Sequence, residues 1–166
     1  MHLQTRLVLG PEQIRAADAY TISQEPIASI ELMERASEAF TQRFLELYPT
    51  PDAVLIVCGT GNNGGDGLAV ARLLHQKGYT PQVWLAGDPE QGSADFCVNW
   101  ARFSQMGQCL QLQPNTALPD LSPYHICIDA LLGSGLSRPL EGWLAQVVTE
   151  LNQAKLVRVA LDMPTG

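Results

Sequence analysis

In the N-terminal part of the chain, apolar residues recur at helical spacing. From residue 54 onwards, short apolar runs typical of strands alternate with further stretches of helical spacing. Two helices are predicted before the first strand, over residues 11–20 and 29–47. The apolar face of the second is formed by Leu32, Met33, Ala36, Phe40 and Phe44. Five strands are predicted over residues 54–57, 80–86, 110–112, 125–128 and 156–161. Three further helices are predicted between them, over residues 67–77, 94–106 and 139–151.

This alternation of strands and helices is typical of an α/β fold. The run 54–57 is apolar at every position, as expected for a strand that is buried on both faces of a parallel sheet. Right-handed crossovers between such strands place helices on both faces of the sheet. We therefore expect a three-layer α/β/α, Rossmann-like domain with a mainly parallel sheet, spanning residues 1–166.

The last predicted strand ends only five residues before Gly166, where the sequence ends. A parallel sheet rarely ends at the opening of a strand-to-helix loop, so we expect a domain that is incomplete at its C-terminus. An uncovered strand edge invites pairing with other chains. We therefore expect this edge to be covered by further residues, by the N-terminal helices or by a neighbouring subunit of a homo-oligomer.

Composition and charge exclude several classes of protein. Of the 166 residues, 46% are hydrophobic and 16% are charged, which supplies one apolar core and argues against disorder. The net charge is -7 and there is no run of Lys or Arg, so nucleic acid is a poor partner. No apolar run approaches the roughly 20 residues that span a bilayer, and residues 1–6 do not resemble a signal peptide. We expect a cytoplasmic protein with no membrane partner.

The cysteines and histidines offer no ready-made site. The spacing of Cys58, Cys97, Cys109 and Cys127 contains no C-x-x-C pair, so we expect buried small hydrophobes rather than disulfides or zinc ligands. The three histidines, at positions 2, 75 and 125, are scattered along the chain, and we expect structural or surface roles for them.

Acidic residues stand at the carboxyl ends of three predicted strands. The first strand leads into a glycine-rich segment that contains Asp66, the fourth ends at Asp129, and the last ends at Asp162. Ligands of open α/β sheets bind in the crevice outside these strand ends. The sequence therefore places its candidate chemistry at one edge of the sheet, although each acid is also a candidate for capping a turn or helix.

The glycine-rich segment permits two interpretations. Gly59, Gly61 and Gly64 satisfy G-x-G-x-x-G between a predicted strand and helix, which is typical of a dinucleotide phosphate site. However, Asp66 would repel a pyrophosphate, and only Asp88 stands near the position of the usual ribose-binding acid. No Lys-Ser/Thr pair follows the glycines, so a P-loop is excluded. The alternative is a glycine-rich turn with Asp66 as the helix cap.

Four motifs together resemble the YjeF N-terminal domain family. Residues 59–67 (G-T-G-N-N-G-G-D-G) resemble its glycine-rich fingerprint, and residues 32–36 (L-M-E-R-A) resemble its helix motif. Residues 129–136 (D-A-L-L-G-S-G-L) and 162–166 (D-M-P-T-G) resemble two further motifs. One departure is Ser37, where the family helix usually has Gly.

The resemblance implies an isomerase of metabolite repair, an NAD(P)HX epimerase. Such an enzyme interconverts the two C6 epimers of hydrated NADH or NADPH, so that a dehydratase domain or partner enzyme can restore the cofactor. The resemblance also implies a potassium ion, held by Asn63, Asp129 and Thr165. It implies that NADHX or NADPHX contacts Asn62, Asn63, Gly64, Gly65, Asp66, Gly133, Ser134, Gly135, Leu136, Ser137, Arg138, Pro139 and Asp162.

The implied reaction assigns roles to three acids. Loss of a hydroxyl beside the ring nitrogen leaves a cation, so the site needs a proton shuttle and a nearby negative charge. We expect Asp162 to be the catalytic acid/base, Asp129 to organise the potassium ion, and Asp66 to orient the ligand or its loop. Two other functions stay open, a noncatalytic binding module of the same fold and a nicotinamide-dependent oxidoreductase. The retained acids favour the enzyme over the module, and Asp66 disfavours the oxidoreductase.

Overall fold

One parallel sheet with helices on both faces forms the described part of the chain. The computed structural model describes residues 9–50, 53–114, 116–134 and 139–166. Its strands are β1 (Val54–Cys58), β2 (Gln82–Ala86), β3 (Cys109–Leu112), β4 (Ile126–Ala130) and β5 (Val157–Ala160). Its helices are α1 (Pro11–Gln24), α2 (Ser29–Leu47), α3 (Asn62–Gln76), α4 (Ala94–Phe103) and α5 (Gly142–Gln153), and a 3-10 turn covers Pro89–Gln91.

The strand order fixes where a ligand cleft can open. All four strand pairs are parallel and the order is β3-β2-β1-β4-β5. The chain moves from β1 to β3 in one direction and then returns to place β4 on the other side of β1. The carboxyl ends of β1 and β4 are therefore the switch point, where the loops diverge and leave a crevice. Among the described strands, β5 pairs with β4 alone.

Alternate residues of the central strands bury opposite faces of the sheet. Ile56 and its same-face neighbours pack beneath α2, α3 and α4, with Leu68 and Phe96 in this cluster. Leu55 and Val57 face the opposite side, where Val147 and Leu151 of α5 cover them. These two clusters fill the two interfaces between the sheet and the helices on its faces, so the predicted three-layer α/β fold is confirmed.

The largest difference from the sequence prediction is the start of α3. We expected a glycine-rich loop up to Asp66 and a helix from Gly67, but α3 begins at Asn62. Asn and Gly are poor helix formers, which is why the pattern predicted a loop. Tertiary packing overrides that preference, because the glycines allow the first turn of α3 to lie directly against the end of β1.

The bounds predicted for α2, 29–47, are correct, and most of the other helix and strand boundaries shift by a few residues. The prediction for α1 ended four residues too early, at Tyr20, and the prediction for α4 ran three residues too far. The predicted end of the fourth strand at Ile128 was also wrong, since β4 continues to Ala130. The predicted bounds 80–86, 110–112, 139–151 and 156–161 become Gln82–Ala86, Cys109–Leu112, Gly142–Gln153 and Val157–Ala160.

A charged cluster fixes α2 against α3 and α4. Glu34, in the L-M-E-R-A motif, accepts hydrogen bonds from Arg72 of α3 and lies 3.4 Å from Arg102 of α4. The side chains of Glu34 and Arg72 are mostly buried, so breaking this pair would leave a charge with little access to water. The motif therefore has a structural role, which is to hold α2 beside the glycine-rich start of α3.

The cysteine prediction is correct for two residues and wrong for one. All four thiols are free, and Cys58 and Cys127 are buried in the sheet. Cys109 is half-buried, whereas Cys97 lies exposed on α4 because its position faces away from the core. Among the described helices, none has an apolar stretch of the length needed to cross a bilayer.

Candidate active site

A cleft of about 750 Å³ opens at the carboxyl ends of β1 and β4. Its walls come from α1, α2, the start of α3 and the loop that follows β4. Asn62, Asn63, Asp66 and Asp162 line it, together with Gly133 and Ser134. The structure thus brings together residues from all four family-like motifs, including Ala36 of the L-M-E-R-A helix, and Ser37 lies at the same cleft.

The glycines of the fingerprint act through close packing. A Cβ atom on Gly64 would overlap the carbonyl oxygen of Gly59, and one on Gly67 would lie 2.6 Å from Ala130 Cβ. A Cβ atom on Gly59 would likewise overlap the carbonyl oxygen of Leu131. These contacts join the end of β1, the first turn of α3 and the end of β4 at a single point. They explain Gly59, Gly64 and Gly67 without a phosphate.

Asp129 and Thr165 are joined by two hydrogen bonds. The Thr165 hydroxyl donates to Asp129 Oδ1 at 2.7 Å, and the Thr165 N–H donates to Asp129 Oδ2 at 2.8 Å. The N–H of Leu131 also donates to Asp129 Oδ1, at 3.1 Å. Asp129 therefore ties the end of β4 to the segment that follows β5.

Asn63 lies beside this pair and is connected to it through Leu132. Its amide Nδ2 donates to the Leu132 carbonyl oxygen at 2.8 Å, and Thr165 Oγ1 lies 3.4 Å from the same oxygen. Asn63 Oδ1 is buried and has no hydrogen-bond partner among the described residues. A buried carbonyl oxygen without a partner is costly, which makes it a candidate ligand for a cation.

Asp162 is exposed in the cleft and holds the loop after β4 through one oxygen. The Ser134 N–H donates to Asp162 Oδ2 at 2.7 Å. Gly133 fits between Asp162 and Asn63, since a Cβ atom there would lie 2.6 Å from Asp162 Oδ2. Within the described residues, Asp162 Oδ1 accepts no hydrogen bond, so this oxygen is available to a ligand.

Asp66 sits deeper in the cleft, with its carboxyl group shielded from water. Burial, together with the negative charges of Asp162, Asp18 and Asp95, raises the pKa of Asp66 from 3.8 to about 7. A hydrogen bond from the Ser37 hydroxyl, 3.5 Å away, opposes this increase in the pKa. Near neutral pH, Asp66 is therefore able to donate a hydrogen bond as well as to accept one.

Several predicted residues lie elsewhere. Gly64 and Gly65 are buried behind the cleft and do not line it, and Pro139 is exposed outside it. Asp88 caps the turn Pro89–Gln91 by accepting from the Glu90 N–H, so it does not serve as a ribose-binding acid in the cleft. The predicted contacts Gly135, Leu136, Ser137 and Arg138 lie outside the described residues.

Helix α1 supplies cleft residues that the sequence pattern did not indicate. Ile14, Arg15 and Asp18 line the cleft, although residues 11–24 show no strong apolar face that would have predicted how α1 docks. His75 and His125 are exposed and lie outside the cleft, as expected. Among the described residues, no group of three His, Cys, Asp or Glu side chains is placed to hold a metal ion.

Comparison with known proteins decides the family. A family model described as "YjeF-related protein N-terminus" matches residues 29–166. The chain belongs to this family. The YjeF-related match includes all the described residues of the cleft except those from α1, so the glycine-rich turn, the Asp129 segment and the Asp162 segment all lie within the matched region.

Curated relatives of this YjeF-related chain carry one name. Proteins named "NAD(P)H-hydrate epimerase" from Limosilactobacillus fermentum and Oenococcus oeni are each 38% identical to it, covering 98% of this chain and 76% of the relative. A protein of the same name from Rhodobacter capsulatus is 35% identical, covering 96% of this chain and 76% of the relative. The crystal structure of yeast ynu0, YNL200c, superposes with a TM-score of 0.79 at 23% identity, over 97% of this chain and 72% of that chain.

Proposed function

We propose that this chain is an NAD(P)HX epimerase that interconverts the two C6 epimers of hydrated NADH and NADPH. The observation that carries the proposal is that two carboxyl groups in different environments, those of Asp66 and Asp162, line one cleft in a chain of this family. The names of the curated relatives support the same reaction. A dehydratase, as a fused domain or a separate enzyme, would consume one of the epimers.

The reaction needs one proton to be given and one to be taken. When the C6 hydroxyl accepts a proton it leaves as water, and the ring becomes a cationic iminium through its nitrogen lone pair. Water then adds to the opposite face and loses a proton, which restores the hydrate with the centre inverted. A single carboxyl group that moves between the two states satisfies this balance.

The position of Asp162 supports its role in that transfer. The Ser134 N–H holds Oδ2, which restricts the orientation of the carboxyl group, and Oδ1 accepts no hydrogen bond from the described residues. Its negative charge also stabilises the cationic ring electrostatically. Asp66, with its raised pKa, would orient the ligand by a hydrogen bond while adding less negative charge to the cleft.

The residues around Asn63 fit a potassium ion. The Asn63 Oδ1 atom lacks a partner among the described residues, and the Leu132 carbonyl and Thr165 hydroxyl supply further oxygens beside it. Carbonyl and hydroxyl oxygens are the ligands that replace the hydration shell of such an ion. Asn63, Asp129 and Thr165 would hold it, and when bound it would supply positive charge that offsets the nearby carboxylates.

The variant Asp162→Asn tests the proposal. The carboxamide keeps the shape and its oxygen still accepts the Ser134 N–H, but the proton transfer and the charge are lost. We expect the rate of epimer interconversion to fall at least about 1000-fold, measured by chromatography of purified epimers, with ligand binding retained.

The matched control is Asp120→Asn. Asp120 is an exposed acid that caps the turn at Ser122, outside the cleft, so this variant should keep the wild-type rate. A wild-type chain that does not interconvert the epimers contradicts the function itself. An active Asp162→Asn variant contradicts only the role of Asp162.

A further inference from the structure

A second cavity adjoins the cleft along helix α1. It has a volume of about 610 Å³ and is lined by Gly10, Glu12, Gln13, Arg15 and Ser134. Arg15 and Ser134 also line the main cleft, so the two cavities meet at these residues. A ligand with two halves can therefore occupy both, with its connecting group beside Arg15.

Arg15 differs in the sign of its charge from the other described ionisable side chains that line the main cleft. Three carboxyl groups line it, those of Asp18, Asp66 and Asp162, and Arg15 is the one cationic side chain among the described lining residues. A pyrophosphate would be repelled by the acids and attracted to the guanidinium, which presents a planar fork of donors to phosphate oxygens.

Arg15 has no competing partner in the described part of the chain. Each of the arginines 35, 43, 72 and 102 forms an ion pair with a glutamate, but Arg15 forms neither an ion pair nor a hydrogen bond there. Gln13, by contrast, already accepts from the Gly10 N–H at 2.8 Å. The Arg15 guanidinium is thus exposed and free to bind an anion at the junction of the cavities.

We infer that α1 supplies the subsite for the adenosine diphosphate half of the dinucleotide, with Arg15 paired to the pyrophosphate. This inference rests on the proposed function and extends it to the end of the substrate remote from the reacting ring. Glu12 places a carboxylate in the second cavity. Its negative charge repels the phosphates, which therefore stay beside Arg15, and its oxygens can accept hydrogen bonds from the hydroxyl groups of a ribose. The nicotinamide half then lies in the main cleft beside Asp162.

The test compares Arg15→Ala with wild type in two measurements. ADP-ribose, which lacks the nicotinamide ring, is titrated calorimetrically against each protein, and kcat and KM are measured with NADHX. Loss of one charged pair predicts about a 10- to 100-fold rise in the Kd for ADP-ribose and in KM, with kcat within about threefold. Arg15→Lys should recover only part of the affinity, because an ammonium lacks the planar fork.

The control is Arg43→Ala, which removes the same charge from an exposed position on α2 outside both cavities. It should bind ADP-ribose as wild type does. Both substitutions lie in exposed parts of helices, where Ala favours the helix, so folding is checked simply by equal circular dichroism spectra.

The outcomes separate this inference from the proposed function. Epimerisation by wild type with unchanged Kd and KM in Arg15→Ala overturns the α1 subsite alone. ADP-ribose binding that depends on Arg15, without epimerisation, overturns the function and keeps the subsite. Failure of wild type to bind ADP-ribose at all overturns the subsite.

Discussion

At the scale of single residues, Asp66 is the acid whose surroundings oppose its ionisation most clearly. Burial and the nearby carboxylates raise its pKa to about 7, whereas an unfolded chain would leave it at 3.8. The folded protein therefore binds more protons than the unfolded chain between about pH 4 and pH 7. Stability from this group is greatest at low pH and falls as the pH rises through that range.

The variant Asp66→Asn should remove this pH dependence. We expect it to be more stable than wild type at pH 8 and to lose the decline between pH 4 and 7. The difference between pKa values of 3.8 and about 7 sets an upper limit of about 4 kcal/mol, at about 1.4 kcal/mol for each pKa unit. Urea unfolding monitored by tryptophan fluorescence at several pH values measures it.

The control variant for this prediction is again Asp120→Asn. The hydrogen bonds from Ser122 lower the pKa of Asp120, so it stays ionised above pH 5 in both states and cannot change the slope there. Equal slopes for wild type and Asp66→Asn between pH 5 and 7, where the control has no effect, would mean that Asp66 is not shielded from water.

The sequence predicted the acids of the site better than their surroundings. Asp66, Asp129 and Asp162 stand at or beyond the carboxyl ends of predicted strands, and parallel topology brings these ends to one edge, so their approach followed from the pattern. Arg15 and Ser37 could not be found in this way, because their positions depend on how α1 and α2 pack against distant segments. The spacing of apolar residues within one helix does not indicate which distant segments that helix contacts.

At the scale of elements, the start of α3 shows how tertiary packing overrides local preference. The residues N-N-G-G predict a loop, yet they form the first turn of a helix because only glycine lets this turn touch Gly59. Strand and helix types were otherwise predictable from apolar spacing, but most of their ends, those of α2 excepted, were not, because caps and turns are set by a few local hydrogen bonds.

A pair of alanine substitutions tests the packing of α3. In Gly64→Ala the new methyl group overlaps the Gly59 carbonyl oxygen, so we expect the free energy of unfolding to fall by about 3 kcal/mol or more. In Gly61→Ala nothing lies within 4 Å of the methyl group, and the change should stay within about 1 kcal/mol. Urea unfolding at constant pH measures both variants.

These two substitutions add the same atoms three residues apart. If both destabilise the chain equally, the cost comes from the altered backbone preference, and the close contact between α3 and β1 is not important. A smaller effect at Gly64 than at Gly61 would contradict the packing directly.

At the scale of the whole molecule, the proposed ion site connects α3, β4 and the segment after β5. An ion that binds only where these segments meet stabilises the folded chain as a unit. Potassium chloride should therefore raise the melting temperature above that in choline chloride of equal concentration. At ten times the Kd for potassium, the gain in stability is about 1.4 kcal/mol.

Thr165→Val should abolish this gain, because it removes one of the oxygens while keeping the shape. The measured quantity is the difference between the two salts, which separates ion binding from the lost hydrogen bond to Asp129. Thr149→Val is the control, since its hydroxyl bonds the Ala145 carbonyl within α5. A potassium effect that survives in Thr165→Val argues against the proposed ligand set.

The hydrogen bonds around Asn63, Asp129 and Thr165 also set an order of events during synthesis. Asn63 and Leu132 are 69 positions apart, and Asp129 and Thr165 are 36 apart. Such contacts are long in sequence and costly to close, whereas neighbouring strands and helices pair early. A growing chain can thus assemble β1, β2 and β3 on the ribosome, but it acquires a complete cleft only after Thr165 has left the exit tunnel.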